Sequence, residues 1–537
     1  MTSYGIWMIL LALLYTTALI IVGNAAKRKA RRGNQYFVGG RTFRWWTVAF
    51  CITGLFSGST YISIVELSYL TGVSAIWYGV AETIQVLIIA LLLIKSFREK
   101  LIVTISGLIG DNFGRTAKGL AGIITAVAFP MWSVATAIAF ASAFHVFTGI
   151  SLSLSVAFSA ILLFIYLQAG GMWSVAFTQT MNSIVFAIMF IIGTIAFFIN
   201  PGISGLQQLA VDKPQMFDWG GAGLQVILVW FATFLVNVIL AQAAFQMALS
   251  CRTPEEGRKG LIVASFMGIP FIVLGVLFGL AAAVVVPNES LGLVALPQYF
   301  MEVLPAPLAG LFFLGIWACA LGWGAPCQFS GATSLGKDVG SAIFPEASPE
   351  KLVSYTKWSL LILTGLMIVF GFLRTEQSAW WNVLAWTIRN SATFAPVVAA
   401  LFWPLVTKRA VVSSLFGGFS AGFLWYYLSG WSPTDFHLNI HPVWIGMSVN
   451  VLTMVIITVL LNAGQWKINR APSVKGPVTV IAVVALLAVN VLFYEPLHSA
   501  GIIGLFIFSN ALVLFIASII YFKPKHAAQE VRKQVVL

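Results

Sequence analysis

Charge is what this sequence has least of. Of its 537 residues 9% are Asp, Glu, Lys or Arg, and 59% are hydrophobic. A soluble globular chain carries about 25% charged residues, so that class is excluded. Cysteine is also scarce: Cys51, Cys251, Cys319 and Cys327 lie in or beside apolar segments, with neither the pattern of a disulfide framework nor metal-ligand spacing. Runs of about ten alternating residues, which a membrane barrel needs, are absent. There is no His-Glu-x-x-His motif, paired intramembrane aspartate or serine–histidine constellation, so no enzyme is predicted. Acidic residues number 17 against 30 basic ones, giving a net charge of +13. The basic residues are dispersed and form no concentrated patch, so no nucleic-acid partner is predicted.

What the chain does have is apolar runs of roughly 20 residues, the length that crosses a hydrocarbon core of about 30 Å. They predict an all-α polytopic membrane protein with about 15 transmembrane helices. The segments are 4–25, 45–70, 73–94, 119–147, 151–168, 176–198, 222–249, 261–286, 306–331, 355–373, 378–404, 412–430, 442–462, 477–494 and 499–522. Basic residues fall in every second gap: Lys27 to Arg44, Lys95 to Lys118, Arg252 to Lys259, Lys337 to Lys357, Lys408 with Arg409, Lys467 to Lys475, and a tail with Lys523, Lys525, Arg532 and Lys533. Lys213 and Arg374 fall on the other side, and Arg389 falls inside a segment. Positive loops stay cytoplasmic, so the expected topology is N outside and C inside, in a plasma membrane, the bacterial cytoplasmic membrane being the expected one. The first run lacks a basic lead and is followed by Lys27, Arg28, Lys29, Arg31 and Arg32; it reads as a span and not as a signal peptide.

Several stretches resemble the sodium:solute symporter family, which includes proline, sugar and sialic acid carriers. Tyr36-Phe37-Val38-Gly39-Gly40-Arg41 with Trp45-Trp46 resembles that family's lead into its first core helix, and Tyr69-Leu70-Thr71-Gly72-Val73-Ser74 resembles that helix's end. Tyr166 through Gly170-Gly171, then Trp173-Ser174-Val175-Ala176 and Thr178, resembles the turn into core helix five. Leu304-Pro305, Leu308-Ala309-Gly310 and Lys337-Asp338 resemble core helix eight. The resemblance covers roughly 36–410. It implies the leucine-transporter fold, a LeuT-type 5+5 inverted-repeat helix bundle with accessory spans, in which core helices one and six are broken at the midplane. The expected organisation is 1–44, an accessory span and basic loop; 45–198, the first five-helix repeat; 222–404, the second, inverted repeat; and 411–537, accessory spans and tail. No glycine lies between Val226 and Leu249, so the break expected in core helix six has no visible position.

The departures from the family pattern concern the coupling ion. The family's second sodium site takes backbone carbonyls near the break in core helix one, here near Thr53 and Phe56, one carbonyl on core helix eight, here near Cys319, and a hydroxyl pair on core helix eight. Counted back from Asp338 that pair falls on Gly322 and Trp323, or with one gap on Trp323 and Gly324, and neither register supplies a hydroxyl. Leu55 and Gln179 stand where relatives carry aspartate. The resemblance therefore implies a degenerate second sodium site, unless Ser330, Thr333 or Ser334 substitutes. Sodium coupling, proton coupling and uncoupled or exchange transport all remain open; no other cofactor or metal is predicted.

Two charges sit near the middle of predicted spans. Glu82 and Arg389 each lie ten or eleven residues in, about 15 Å deep at 1.5 Å per residue. An ionised group there costs at least about 2.5–3.5 kcal/mol, so each faces protein or water. Either the two pair with each other, or they line a solute cavity, since the resemblance places core helices two and ten beside the substrate. A free Arg389 suits a carboxylate, because its planar fork donates two parallel bonds. Glu66, nearer the outer face, is either a solvated vestibule residue or, with Glu82, a proton-carrier candidate. Ser57 and Thr60 at the expected break, with Asn237 and Gln242 on core helix six, complete the candidate substrate-binding residues. The expected function is secondary active transport of a small anionic or zwitterionic solute by alternating access, with the solute and the lipid bilayer as partners. A transporter-like sensor is the alternative class. The sequence points to no oligomeric state.

Overall fold

The structure is a computed structural model that describes residues 2–27, 33–167, 171–461, 464, 466–469 and 474–525. Arg28, Lys29, Arg31, Arg32, Gly170, Arg532 and Lys533 lie outside the described residues.

Helices dominate because apolar segments can satisfy their backbone groups internally only as helices once water is excluded. In chain order they are α1, Ser3–Lys27; α2, Trp45–Leu55, which passes through a π-helical stretch Phe56–Tyr61 into Ile62–Thr71; α3, Ile76–Ile88, continued by Ile89–Leu93 and Ile94–Glu99; α4, Arg115–Thr148; α5, Leu152–Leu167; and α6, Gly171–Ile199. The second half begins with α7, Leu224–Asn237, and α8, Gln242–Ala248. Next come α9, Pro254–Val285; α10, Ala306–Ala332, continued in π-helical form by Thr333–Val339; α11, Pro349–Leu373; and α12, Ser378–Phe402. The last are α13, Lys408–Leu428; α14, Pro442–Leu461; α15, Lys475–Leu492; and α16, Ile503–Tyr521.

Among the described residues 11 helices are long and apolar enough to cross a membrane, or up to 12 counting the bent pair α7–α8. The difference from the expected 15 has physical causes. The helical run Trp45–Glu99 counts once, although at about 80 Å it is far longer than a membrane core is thick. It turns at Gly72, φ 73°, where a Cβ would lie 1.8 Å from the Met216 carbonyl oxygen, a conformation and a clearance only glycine meets. Helix α5 is only 16 residues long, and α12, with Asn382, Arg389 and Asn390, is too polar to be counted. Several helices also start earlier than expected, because hydroxyl caps allow charged first turns: Thr253 accepts from the Glu256 amide and Ser348 from the Lys351 amide. At those exposed ends the carboxylates of Glu255 and Glu350 are held below their usual range, each first by its own backbone N–H and then by the cap hydroxyl.

The chain divides into two compact units, one of 1–104 and 125–385, the other of 105–124 and 386–537. In the first, α9 lies along α2. Gly260, Gly268, Gly275 and Gly279 of α9 face Val48, Phe56, Tyr61 with Ile64, and Ser68 of α2. This stripe of small residues lets the two backbones approach closely. In the second unit α13 pairs with α14, and Asn450 of α14 repairs a helix defect. Pro396 cannot donate to the Ala392 carbonyl four residues back; Asn450 Nδ2 donates there instead at 2.7 Å, and Asn450 Oδ1 accepts the Ala395 amide at 2.8 Å. A short antiparallel ribbon, β1 (Trp466–Ile468) with β2 (Phe522–Pro524), sets Lys467 opposite Lys523.

Candidate functional site

Polar side chains in the first unit converge on Glu82. Its carboxylate is 1% exposed, is hydrogen-bonded to Ser59, and leaves Oε2 without a partner among the described residues. One turn back on α3, the Tyr78 hydroxyl meets Ser59, Ser63 and Asn382. Asn382 Nδ2 also donates to Ser63 Oγ at 2.9 Å. One turn ahead, Gln85 Oε1 accepts from Asn237 Nδ2 at 3.3 Å. Trp230 and Phe234 of α7 pack edge-on against Tyr78 at 5.6 and 5.2 Å. Thr60 Oγ1, Asn382 Oδ1 and Trp323 Nε1 are among the other buried groups of the unit without a hydrogen-bond partner among the described residues. Buried polar groups are nearly always paired, which makes the surroundings of Glu82 a candidate site.

The helix distortions fall where these residues sit. Ser57, Ser59 and Thr60 lie in the π-helical stretch of α2, which is a loosened turn and not a chain break. Core helix six does break, without glycine, at residues 238–241 between α7 and α8, with a bend of 47°. Asn237 closes the first half and Gln242 opens the second.

The sequence-predicted residues separate into distinct environments. Glu82, Thr60 and Asn237 are in or beside the cluster. Ser57 instead donates to the Gly54 carbonyl at 2.9 Å and meets Cys319. Gln242 is directed to α10, donating to the Ser330 carbonyl at 3.1 Å and the Ser334 hydroxyl at 2.9 Å. Gln246 meets Thr333 at 3.4 Å and accepts from Ser330. The three hydroxyls that could substitute for the missing pair are thus engaged by glutamines. Glu66 is 2% exposed, so the solvated-vestibule reading is corrected. Its carboxylate accepts from the Ser378 amide at 2.9 Å, the Ser378 hydroxyl at 2.7 Å and the Ala379 amide at 3.0 Å. It caps the N-terminus of α12, where free amides favour a carboxylate. Arg389 belongs to the second unit; it is 2% exposed and its Nη2 donates to Asn390 Oδ1 at 3.1 Å.

The expected ion position against α10 is tightly closed. A Cβ on Gly54 would lie 2.4 Å from both Gln179 Nε2 and the Gly322 oxygen, and one on Gly58 would lie 2.3 Å from Trp323 Cβ. Gln179 Nε2 donates to the Gly322 carbonyl. Asn182 Nδ2 donates to Gln179 Oε1 at 3.3 Å and the Ala318 carbonyl at 3.1 Å, and the Tyr15 hydroxyl donates to Asn182 Oδ1 at 2.6 Å. Thr53 spends its hydroxyl on the Ala49 carbonyl at 2.8 Å, and Phe56 packs against Gly268. A hard cation needs several converging oxygens; here the side-chain amides of Gln179 and Asn182 instead bring N–H donors against the neighbouring Gly322 and Ala318 carbonyls. These residues do not fit a sodium ion.

Tyr78, Gln85, Asn182 and Asn382 are candidate site residues that the sequence did not single out. Tyr78, Glu82 and Gln85 stand at helical spacing on an otherwise apolar stretch, a polar stripe that was open to view. Nothing comparable marks Asn182 or Asn382.

A helical bundle with one distorted and one broken helix, meeting at buried polar groups, has the architecture of a multi-pass membrane carrier of the leucine-transporter fold. Comparison with known proteins agrees. The profile of the sodium:solute symporter family matches residues 36–418, and the chain belongs to that family. It is 23% identical to a sodium/glucose cotransporter of Vibrio parahaemolyticus, over 74% of this chain and 81% of that protein. It is 21% identical to the human high affinity choline transporter 1, over 77% of this chain and 73% of that one. In fold it is similar to a Na+-coupled sialic acid symporter in a substrate-bound outward-open state, with a TM-score of 0.67, 18% identity, and coverage of 85% of this chain and 98% of that one. The chain is a multi-pass secondary transporter of a small solute and not an enzyme, and its family implies Na+ as the coupling ion.

Proposed function

We propose that this chain carries a small anionic or zwitterionic solute by alternating access around the cluster at Glu82, and that coupling does not run through the cation position against α10. The observation that carries the second statement is the Gln179 amide on the Gly322 carbonyl. The repeats are 45–198 and 222–404; the π-helical stretch in α2 and the break between α7 and α8 stand in the first helix of each, as inverted repeats require. Helices α2, α3, α7–α8 and α9 form the moving bundle. The N-terminus lies outside and the C-terminus inside the cytoplasmic membrane. Arg389 is the candidate for a solute carboxylate, because its planar fork can donate two parallel hydrogen bonds. Uptake into proteoliposomes tests the reading: a thermal-shift screen of small carboxylates and amino acids names the solute, and flux of that solute separates a carrier from a transporter-like sensor, which binds without flux.

A second reading is proton coupling. The Oε2 of Glu82 favours it, because a carboxyl oxygen with no hydrogen-bond partner among the described residues is open to a proton. Glu66, whose oxygens are already taken by the Ser378 amide and hydroxyl and the Ala379 amide, is the weaker candidate. Uptake driven by an imposed inward proton gradient without Na+, lost in Glu82→Gln, is the result this reading requires.

A further inference from the structure

Far along the chain from the Glu82 cluster, the second unit holds a cavity of about 580 Å³ lined by Thr116, Lys408, Arg409, Ser413, Leu460 and Leu461, among others. Its two ends differ in chemistry. Lys408 and Arg409 are exposed at the start of α13, with Thr116 and Ser413 offering hydroxyls beside them. Neither basic side chain makes a salt bridge among the described residues. The last turn of α14 also lines it, through Ile457, Leu460 and Leu461. There Leu460 is 67% and Leu461 50% exposed, and Ile456, one turn earlier, is 52% exposed. In a membrane protein such a surface faces acyl chains.

We infer that this cavity binds an anionic phospholipid, its phosphate on Lys408 and Arg409 and its acyl chain along Ile456, Leu460 and Leu461. A soluble anion would use only the basic end and leave the apolar wall without a role; a neutral lipid would leave the two cations unmatched. The charge pattern of the chain puts the Lys408–Arg409 gap on the cytoplasmic side, where anionic headgroups attract basic residues and basic pockets between helices hold them. The site is independent of the solute site and of the coupling ion.

The test is native mass spectrometry of the full-length protein released from nanodiscs of phosphatidylglycerol and phosphatidylcholine in equal amounts. The expected result is retention of phosphatidylglycerol on the wild type. The double variant Lys408→Ala/Arg409→Ala lowers it by about thirtyfold, since one basic residue near the surface is worth about fivefold. Leu460→Asp, which leaves both cations in place, lowers it as well. Glycerol phosphate, the headgroup without its chains, does not compete at millimolar concentration. Equal retention of phosphatidylcholine, unchanged retention in both variants, or displacement by glycerol phosphate would each overturn the inference. Circular dichroism and solute uptake of the variants, read in parallel, establish that they are folded.

Discussion

At the scale of single residues, Gln179 decides most. A glutamine amide brings hydrogen-bond donors where a cation would need acceptors, and it cannot be ionised. Gln179→Asp removes the donor and restores a carboxylate, so the variant is expected to gain Na+ stimulation of uptake; a Na+ titration with the same slope as wild type would count against the assignment. Arg389→Ala is expected to abolish uptake of a carboxylate solute while leaving membrane-inserted protein, and normal uptake would remove Arg389 from the site. Glu82 was legible in the sequence because a carboxylate in a span is costly enough to demand a use. The environment of Glu66 was not legible. Its partners, the Ser378 and Ala379 amides, are more than three hundred positions away, and two of its three hydrogen bonds are to backbone, which no sequence pattern marks.

At the scale of elements, the helix ends and distortions carry the argument. Glu66 on α2 ties down the first turn of α12. Glu66→Ala removes a charge-assisted cap and is expected to destabilise the folded protein by about 1–3 kcal/mol, seen as a lower melting temperature in detergent; an unchanged melting temperature would mean the cap is replaced by water. Gly58→Leu drives a large side chain into Trp323, and overpacking of this kind costs about 1–3 kcal/mol or more. It should also depress uptake by holding α2 away from α10. The helices themselves were legible from hydropathy, and each of the expected segments contains one. The break between α7 and α8 was not, because the rule sought glycine. The bend falls at Val238-Ile239-Leu240-Ala241, where Asn237 and Gln242 on either side are anchored to Gln85 and to α10. Side-chain anchors on both flanks hold the bend where backbone freedom does not mark it.

At the scale of the whole molecule, the family fold is kept, and we propose that the ion position against α10 is rebuilt. The fold was legible because its signals are periodic and repeated along the chain. The proposed rebuilding shows in the sequence only as missing hydroxyls at Gly322 and Trp323; the Asn182 and Tyr15 hydrogen bonds depend on contacts between α1, α6 and α10, which sequence spacing does not encode. A ligand drives a transport cycle only through its unequal affinity for the states of the carrier, so an ion with no place to bind against α10 contributes little drive there. The measurement that bears most directly on this is the initial rate of solute uptake into proteoliposomes, with external Na+ replaced by K+ at fixed pH and membrane potential. The account predicts a change of less than about fivefold, below the usual range of energetic coupling between sites. A steep, saturable requirement for Na+ in the wild-type protein would contradict it.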